Sequence, residues 1–298
     1  MTQQLCDLFK RNFSYLNVDE DTAKKLFSNP ENKVFARYDR NRNLIAASVI
    51  YKNVIIMLVV DEIHRGHGIG SALLDLSESY IKSSGHEKVV FGVGASDYLA
   101  PGVPTCVKPI EQELTPACLW HGLDNYACEF LTKRGYLHHN DSNIFDMDMI
   151  IDDESSFGVA VGDTVDGVTY RLATPTDKEG VAACCNAGAD YFTNFYKSDG
   201  LYNGTNECIL VAETGGEIVG NLLISTYSEP GTIGCVTVSP KARGKKIGSR
   251  MSIAATSYIK EKGLKRAFLS YTYSGLDKMY GAAGYKICVY YFMAQKKF

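Results

Sequence analysis

The sequence predicts an α/β protein of two domains built on one repeated unit. Its length of 298 residues is about twice the ~150 of a common domain, so two cores are expected rather than one. An apolar strand pattern, a Gly-rich turn and an amphipathic helix occupy residues 53–83 and return in the same order from Thr232. Each half then reaches a short helix closed by Gly-Tyr, at Gly135-Tyr136 and at Gly284-Tyr285.

In the first half, Val54 to Val60 is an unbroken run of apolar, mostly β-branched residues. It has the length of a buried strand and falls far short of the ~20 residues that span a bilayer. After Arg65-Gly66-His67-Gly68-Ile69-Gly70-Ser71, the residues Ile69, Ala72, Leu73, Leu76 and Tyr80 keep the i, i+3, i+4, i+7 spacing of a helix reaching Ser83. Lys88 to Phe91 reads as the next strand. In the second half the strand is Thr232 to Val238 and the turn is Arg243-Gly244-Lys245-Lys246-Ile247-Gly248-Ser249. Ile247, Met251, Ala254 and Tyr258 share one face of the helix that follows, and Arg266 to Tyr271 is the next strand. Gly135 and Gly284 are expected as C-caps, where glycine reaches the left-handed region without a Cβ clash.

The halves differ in one interval. Arg65 lies 71 residues before Tyr136, whereas Arg243 lies 42 before Tyr285, so the first half carries 29 more. The added stretch includes the Pro- and Gly-rich segment from Asp97 to Pro104 and the lone Trp120, which marks it as a long loop of the kind that carries substrate contacts. Trp120 itself is read as a packing anchor, with stacking on a substrate as the rival. Ile151 to Gly158 is acidic and rich in small residues, as a linker is, before a strand near Thr169 to Ala173. The expected domains are therefore 1–150 and 151–298.

Composition narrows the function. With 31 Lys plus Arg against 34 Asp plus Glu and a net charge of −3, electrostatics give no reason to expect nucleic acid or an anionic membrane as partner. The opening Met1 to Asp7 has neither the basic region nor the apolar core of a secretory signal, so a cytosolic protein is expected. Nine cysteines without a Cys-x-x-Cys pair signal neither a disulfide framework nor a zinc ribbon. His64, His67, His138 and His139 lack a further ligand at fixed spacing, so no metal is expected. No Gly-x-Ser-x-Gly nucleophile elbow occurs.

The two turns carry the chemistry. A Gly-rich turn opening a helix after a buried strand presents several backbone N–H groups and a positive helix end to an anion, phosphate above all. A dinucleotide fingerprint is the rival reading, with Gly66, Gly68 and Gly70 and an acid at Glu87. Against it, Ser71 occupies the last glycine position, Glu87 begins the next strand instead of ending it, and a run of βαβ units is missing. A Walker A loop is absent.

At these residues the sequence resembles the GNAT acyltransferase superfamily, whose acyl-CoA pyrophosphate loop reads Gln/Arg-x-x-Gly-x-Gly/Ala between its fourth strand and third helix. Arg65 to Gly70 matches every fixed position; Arg243 to Gly248 matches all but one, with Lys246 where the first glycine usually stands. Leu276 to Tyr285 is similar to the family's Leu-Tyr-Glu-Lys-x-Gly-Phe ending, and Tyr280 falls on its usual acid. In the first half the matching stretch is Cys128 to Tyr136, and Leu131 holds the Tyr position. The segment from Tyr98 to Pro104 resembles an aromatic-Pro-Gly-Val-Pro loop of some members. The likeness spans the first half from about Val34 and the second from about Tyr170.

The resemblance implies two domains, each a mixed, mostly antiparallel sheet with splayed central strands flanked by helices. It implies acetyl-CoA as co-substrate and transfer of an acetyl group to the primary amine of a small molecule or peptide. Cofactor contacts would fall on Arg65, Gly66, His67, Gly68, Ile69, Gly70 and Ser71, and on Arg243, Gly244, Lys245, Lys246, Ile247, Gly248 and Ser249. Backbone near Leu58, Val59 and Val60, and near Val236 and Val238, would polarise the thioester carbonyl. Tyr280 would be the general acid of the second half; on reach alone Tyr98 and Tyr126 are candidates in the first. The general base stays open, with Glu62 and Glu213 as candidates. Lys245 and Lys246 are phosphate contacts or merely a solvated pair. Leu131 motivates a rival of another class, an acyl-CoA-binding scaffold or sensor in which one or both halves do not catalyse.

Overall fold

A computed structural model of the protein describes every residue except 15, 17, 92–99, 101, 108–125 and 140–142. The chain opens with α1 (Thr2–Asn12) and α2 (Glu20–Phe27), the latter started by Asp19, whose carboxylate accepts from Thr22 N at 2.8 Å. Next come β1 (Lys33–Tyr38), β2 (Leu44–Tyr51), β3 (Val54–Val60), a 3-10 turn at Glu62–His64, α3 (Ile69–Ser83) and β4 (Lys88–Val90). β5 (Val103–Val107), α4 (Tyr126–Thr132), β6 (Leu137–His138) and β7 (Ile144–Ile150) follow. The rest is β8 (Thr164–Val165), β9 (Val168–Leu172), α5 (Lys178–Gly188), 3-10 segments at Asp190–Tyr196 and Asp199–Tyr202, β10 (Glu207–Thr214), β11 (Glu217–Ser225) and β12 (Gly231–Val238). A 3-10 turn at Pro240–Ala242 leads to α6 (Ile247–Glu261), β13 (Arg266–Tyr273), α7 (Asp277–Gly281), β14 (Lys286–Phe292) and β15 (Ala294–Lys297).

The repeat read from the sequence is a repeat of structure. In both halves a strand, a three-residue 3-10 turn, a 15-residue helix and a strand succeed one another. Both helices end on a left-handed glycine, Gly85 at φ +85° and Gly263 at φ +81°. Both Gly-Tyr closures are caps as expected, with Gly135 at φ +83° and Gly284 at φ +98°. Even the anchoring of the capped tyrosines repeats: Tyr136 donates to Glu78 and Tyr285 bonds Thr256, and these partners stand nine residues after the starts of α3 and α6.

The chain divides into two units. The first takes Met1–Val107, the stretch through α4 to Ile144, and the ten residues Val289–Phe298; the second takes Phe145–Cys288. In the first unit the strand order is β1-β2-β3-β4-β15-β6, with β3 and β4 parallel and the other neighbours antiparallel. In the second the order is β14-β7-β13-β12-β11-β10-β9-β8, with β14 passing into the first unit at Val289, β12 and β13 parallel and β8 to β12 antiparallel. Two mixed sheets flanked by helices are thus found. The difference from a linear division is that β15 comes from the far end of the chain to the first unit, while Phe145–Ile150 enters the second. Strand periodicity specifies which face is buried but not which edge is paired, so this exchange had no local signal.

β15 is a central strand, pairing Gln295 with Val90 on one side and Leu137 on the other. Ala294, buried completely, belongs to the core that joins Leu74, Ile81, Val89 and Tyr136. Truncation after Phe292 leaves β4 and β6 with unpaired edges and removes the buried Met293 side chain, by itself worth about 1.5–3 kcal/mol. We expect calorimetry to show the first unit melting at least several degrees lower, with faster amide exchange at Val89 and Val90.

Candidate active site

The first turn is set by two glycines and one arginine. Gly66 and Gly68 lie at φ +80° and +77°, and Gly68 caps α3. This conformation aims the first amides of α3, which have no acceptor within the helix, at one point. Arg65 donates from Nε to the Val60 carbonyl (2.8 Å) and from Nη2 to Asn12 Oδ1 (2.9 Å). Asn12 in turn donates to Asp61 at 2.7 Å. The turn is therefore tied to the end of β3 and to the end of α1.

The second turn repeats this brace. Arg243 donates from Nε to the Val238 carbonyl (3.3 Å) and from Nη2 to the Gly188 carbonyl (3.0 Å), at the end of α5. Gly244 stands at φ +79°, matching Gly66, and Lys246 takes the place of Gly68 at φ +61°. A side chain there costs about 1–2 kcal/mol of backbone strain, yet the geometry of the turn is kept. At Gly66, Gly68 and Gly244 no atom lies within 4 Å of where a Cβ would stand, so the outer surface of both turns is open.

Over the first turn lies a cavity of about 360 Å³ lined by Gly66, Gly68, Ser71, Phe130, Lys133 and Arg134, among others. Arg134 stacks on the Phe130 ring, 3.8 Å from its centroid, and donates to Ser71 Oγ at 2.5 Å. The sequence reading gave Arg134 no role; its only signal was a second cation before the Gly135 cap. Tyr126 also lines this cavity and is 70% exposed. Tyr98 and Trp120 lie outside the described residues.

The paired strands behind the second turn part early: β12 and β13 pair only at Gly231–Ala267 and Thr232–Phe268. Among the described residues β3 and β4 pair at Val54–Val90. In the second unit β12 also bulges: Thr237 faces Asn221 and Gly234 faces Leu223, so Cys235 and Val236 share the single Leu222. Cys235 sits at φ +51°, and its carbonyl accepts from the Tyr196 hydroxyl at 2.5 Å. Val236 thus lies within the bulge, and Val238, paired with Gly220, lies two residues beyond it. In β3 the register shift falls at Ile56, between the pairs Ile50–Ile55 and Val49–Met57, while Leu58, Val59 and Val60 pair regularly with β2.

Tyr280 stands on α7 and is buried, 6% exposed. Burial first, then the neighbouring Tyr273, Cys235 and Tyr191, push its phenol well above the usual value. Its carbonyl accepts from Tyr285 N, as the Leu131 carbonyl accepts from Tyr136 N, so Leu131 and Tyr280 occupy the same place in the two units. Of the carboxylates considered as bases, Glu213 is held by Arg171 at 2.6 Å, and Glu62 is exposed in the 3-10 turn before Arg65. His138 is engaged as well: its Nδ1 accepts from Met293 N. Among the described residues no helix is long and apolar enough to cross a membrane.

Comparison with known proteins bears on this geometry. Residues 1–102 match a family model described as an acetyltransferase (GNAT) domain, and residues 182–285 match the acetyltransferase (GNAT) family. No curated protein matches the chain. Among solved structures, a GCN5-related N-acetyltransferase from Sphaerobacter thermophilus is similar at a TM-score of 0.66 and 15% identity, covering 99% of this chain and 91% of that one. A tandem GNAT protein from the clavulanic acid biosynthesis pathway is similar at 0.63 and 12%, covering 99% and 94%. The glucosamine N-acetyltransferase region of a fungal multi-domain β-N-acetylglucosaminidase is similar at 0.68 and 16%; the match covers 99% of this chain and 37% of that one. At these identities the likeness is one of fold.

The two turns predict opposite responses to substitution. Gly68→Ala meets no neighbour and pays only the left-handed strain, so urea unfolding should show a loss of about 1–2 kcal/mol. Lys246→Gly relieves that strain while loosening the unfolded chain by about 0.4–1 kcal/mol, so its stability should stay level or rise.

Proposed function

Because the chain belongs to the GNAT acetyltransferase superfamily as a tandem protein with a GNAT domain in each half, we propose that it is an acetyl-CoA-dependent N-acetyltransferase acting on the primary amine of a small molecule or peptide. One observation carries the reading: the second unit combines an open, helix-capping turn, a wedge between β12 and β13, and a buried tyrosine beside that wedge. The open surface above Gly66, Gly68 and Gly244 suits a pyrophosphate, because nothing occupies the space that a Cβ would fill.

In this reading acetyl-CoA supplies an acetyl group activated as a thioester. The amides from Gly66 to Ser71, and from Gly244 to Ser249, bind the pyrophosphate at the helix N-termini. Arg65 and Arg243 contribute by holding their turns in shape through the bonds to Val60 and Val238. Lys245 and Lys246 add charge in the second unit, where a glycine is lost. Backbone near Val236 to Val238, on the wedge side of the bulge, donates to the thioester carbonyl as charge develops on its oxygen. Tyr280 keeps its proton at neutral pH and gives it to the departing thiolate. The amine loses a proton to a base that remains open.

Leu131 supports a division of labour in which the first unit binds acetyl-CoA without transferring it. That unit has no hydroxyl at the Tyr280 place, and Leu58 to Val60 lack the left-handed bulge. Its turn is the more complete of the two, and its cavity is already shaped by Arg134 and Phe130. The rival in which neither unit catalyses predicts no CoA release with any of a broad panel of amines.

Two variants separate these roles. Arg65→Glu exchanges a brace for a carboxylate beside the phosphate position, so calorimetric titration should show weaker acetyl-CoA binding in the first unit; unchanged affinity would remove Arg65 from the site. Tyr280→Phe deletes one oxygen and keeps the ring. Loss of a general acid should lower turnover by roughly 10²-fold or more with cofactor affinity nearly intact, since the thiolate exists only late in the reaction. Full turnover in that variant would move catalysis to another acid.

A further inference from the structure

Two residues that are not glycine stand in the left-handed region at the opening of the wedge: Cys235 on β12 at φ +51° and Tyr271 on β13 at φ +54°. Each lies three residues past the last parallel pair, from Thr232 to Cys235 and from Phe268 to Tyr271. Such a conformation costs about 1–2 kcal/mol for a residue with a side chain and persists only where its surroundings enforce it. In both cases a buried polar group from a third element does so. The Tyr196 hydroxyl, from the Asp190–Tyr196 segment, donates to the Cys235 carbonyl at 2.5 Å, and Tyr196 is itself held by Tyr202, which donates to its carbonyl at 3.0 Å. Tyr271 N donates to Asp146 Oδ1 at 2.9 Å, from β7. Tyr196 is 3% and Asp146 4% exposed, so neither bond competes with bulk water. In the first unit, neither Val54–Val60 nor Lys88–Val90 contains a left-handed residue.

We propose that Tyr196 and Asp146 are positioning residues for acyl transfer, pinning the two walls of the wedge so that the amides following Cys235 point into it. This rests on the acetyltransferase reading of the second unit. Left-handed φ at Cys235 turns the next peptide by a large angle from its regular strand direction, and that peptide belongs to the stretch proposed to polarise the thioester carbonyl. Without the Tyr196 hydroxyl, Cys235 relaxes toward ordinary strand geometry and the donors swing away. Asp146 does the same for the facing wall: from the neighbouring β7 it supplies an acceptor for the Tyr271 amide where β13 has left β12. Neither side chain needs to touch the substrate, and both act through backbone that does.

The test uses the full chain with acetyl-CoA carrying ¹³C at the thioester carbonyl, which requires no knowledge of the acceptor. A carbonyl that accepts a hydrogen bond in the second unit is displaced downfield on binding; the first unit serves as internal control. Tyr196→Phe and Asp146→Leu should each abolish the displacement in the second unit and leave the other resonance in place. With an acceptor in hand, kcat should fall on the order of 10- to 100-fold, below the about 10²- to 10³-fold of deleting a donor outright, with KM for acetyl-CoA nearly unchanged. Cys235→Gly should restore the Tyr196→Phe enzyme and Tyr271→Gly the Asp146→Leu enzyme, because glycine holds the left-handed conformation unaided. Asp146→Asn, which keeps an acceptor oxygen, should behave as wild type. If the variants lose only melting temperature, or if glycine restores nothing, the residues merely pack and the positioning role is overturned. Wild-type protein that binds acetyl-CoA in the second unit without displacing the carbonyl also overturns it alone; absence of any binding there overturns the acetyltransferase reading with it.

Discussion

A parallel strand pair that stops after two residues is the constraint on which the second unit is built. β12 and β13 share Gly231–Ala267 and Thr232–Phe268 and then separate, which leaves backbone donors and acceptors facing a gap. Buried peptide groups left unpaired cost about 1–3 kcal/mol each, so a gap of this kind has to be furnished. The walls themselves are held from outside the pair, the Cys235 carbonyl by Tyr196 and the Tyr271 amide by Asp146 of β7. On the proposed reading the gap is left for a ligand that brings a carbonyl and a pantetheine arm of its own. A sheet that paired fully at this point would be more stable and would have no place to do chemistry.

Duplication shows which parts of the unit are fixed by geometry. The arginine brace is present twice with the same two kinds of partner, the end of the preceding strand and the end of an earlier helix. Gly66 and Gly244 agree within one degree of φ. The Gly68 position tolerates a lysine, because the space above it is open and only backbone strain opposes the change. Leu131 and Tyr280 have diverged completely while their carbonyls keep the same bond to the capped tyrosine. Cap, brace and turn are thus maintained by the backbone, whereas the hydroxyl is free to be lost wherever no reaction requires it.

Much of this was legible in the sequence because it is local. The turn of Arg65 to Gly70, the helix to Ser83 and the caps at Gly135 and Gly284 all declare themselves within a few residues, through apolar period and glycine placement. Tertiary pairing does not. Nothing in Ala294–Lys297 says that it lies between β4 and β6, and nothing in Phe145–Ile150 says that it joins β13 and β14. The arginines were read as phosphate ligands from their place in a motif, while their bonds to Val60 and Val238 depend on chain reversals that spacing cannot show. Cys235 and Tyr271 were hidden for a different reason. Left-handed φ is usually announced by glycine, and here it is enforced by side chains 39 and 125 residues away.

Burial makes sense of a phenol as the acid in the proposed second-unit reaction. In water a phenol near 10 is a poor donor to a thiolate whose conjugate acid is near 8.5. Desolvation raises Tyr280 further, which at first sight worsens the match. The same desolvation acts on sulfur: Cys235, one of the groups around Tyr280, has its thiol pushed up to about 11. On the proposed reading a thiolate released beside Tyr280 would be a stronger base than one in water for the same reason, because the charged form is the one that burial disfavours. Both partners shift in the same direction, so the proton gap between them is set by their local difference rather than by their values in solution. The phenol then remains protonated throughout substrate binding and finds a sufficiently basic acceptor only when the carbon–sulfur bond has broken. On the proposed reading, an acid with an unshifted value, exposed to solvent, would be matched to a thiolate in water rather than to one released beside Tyr280.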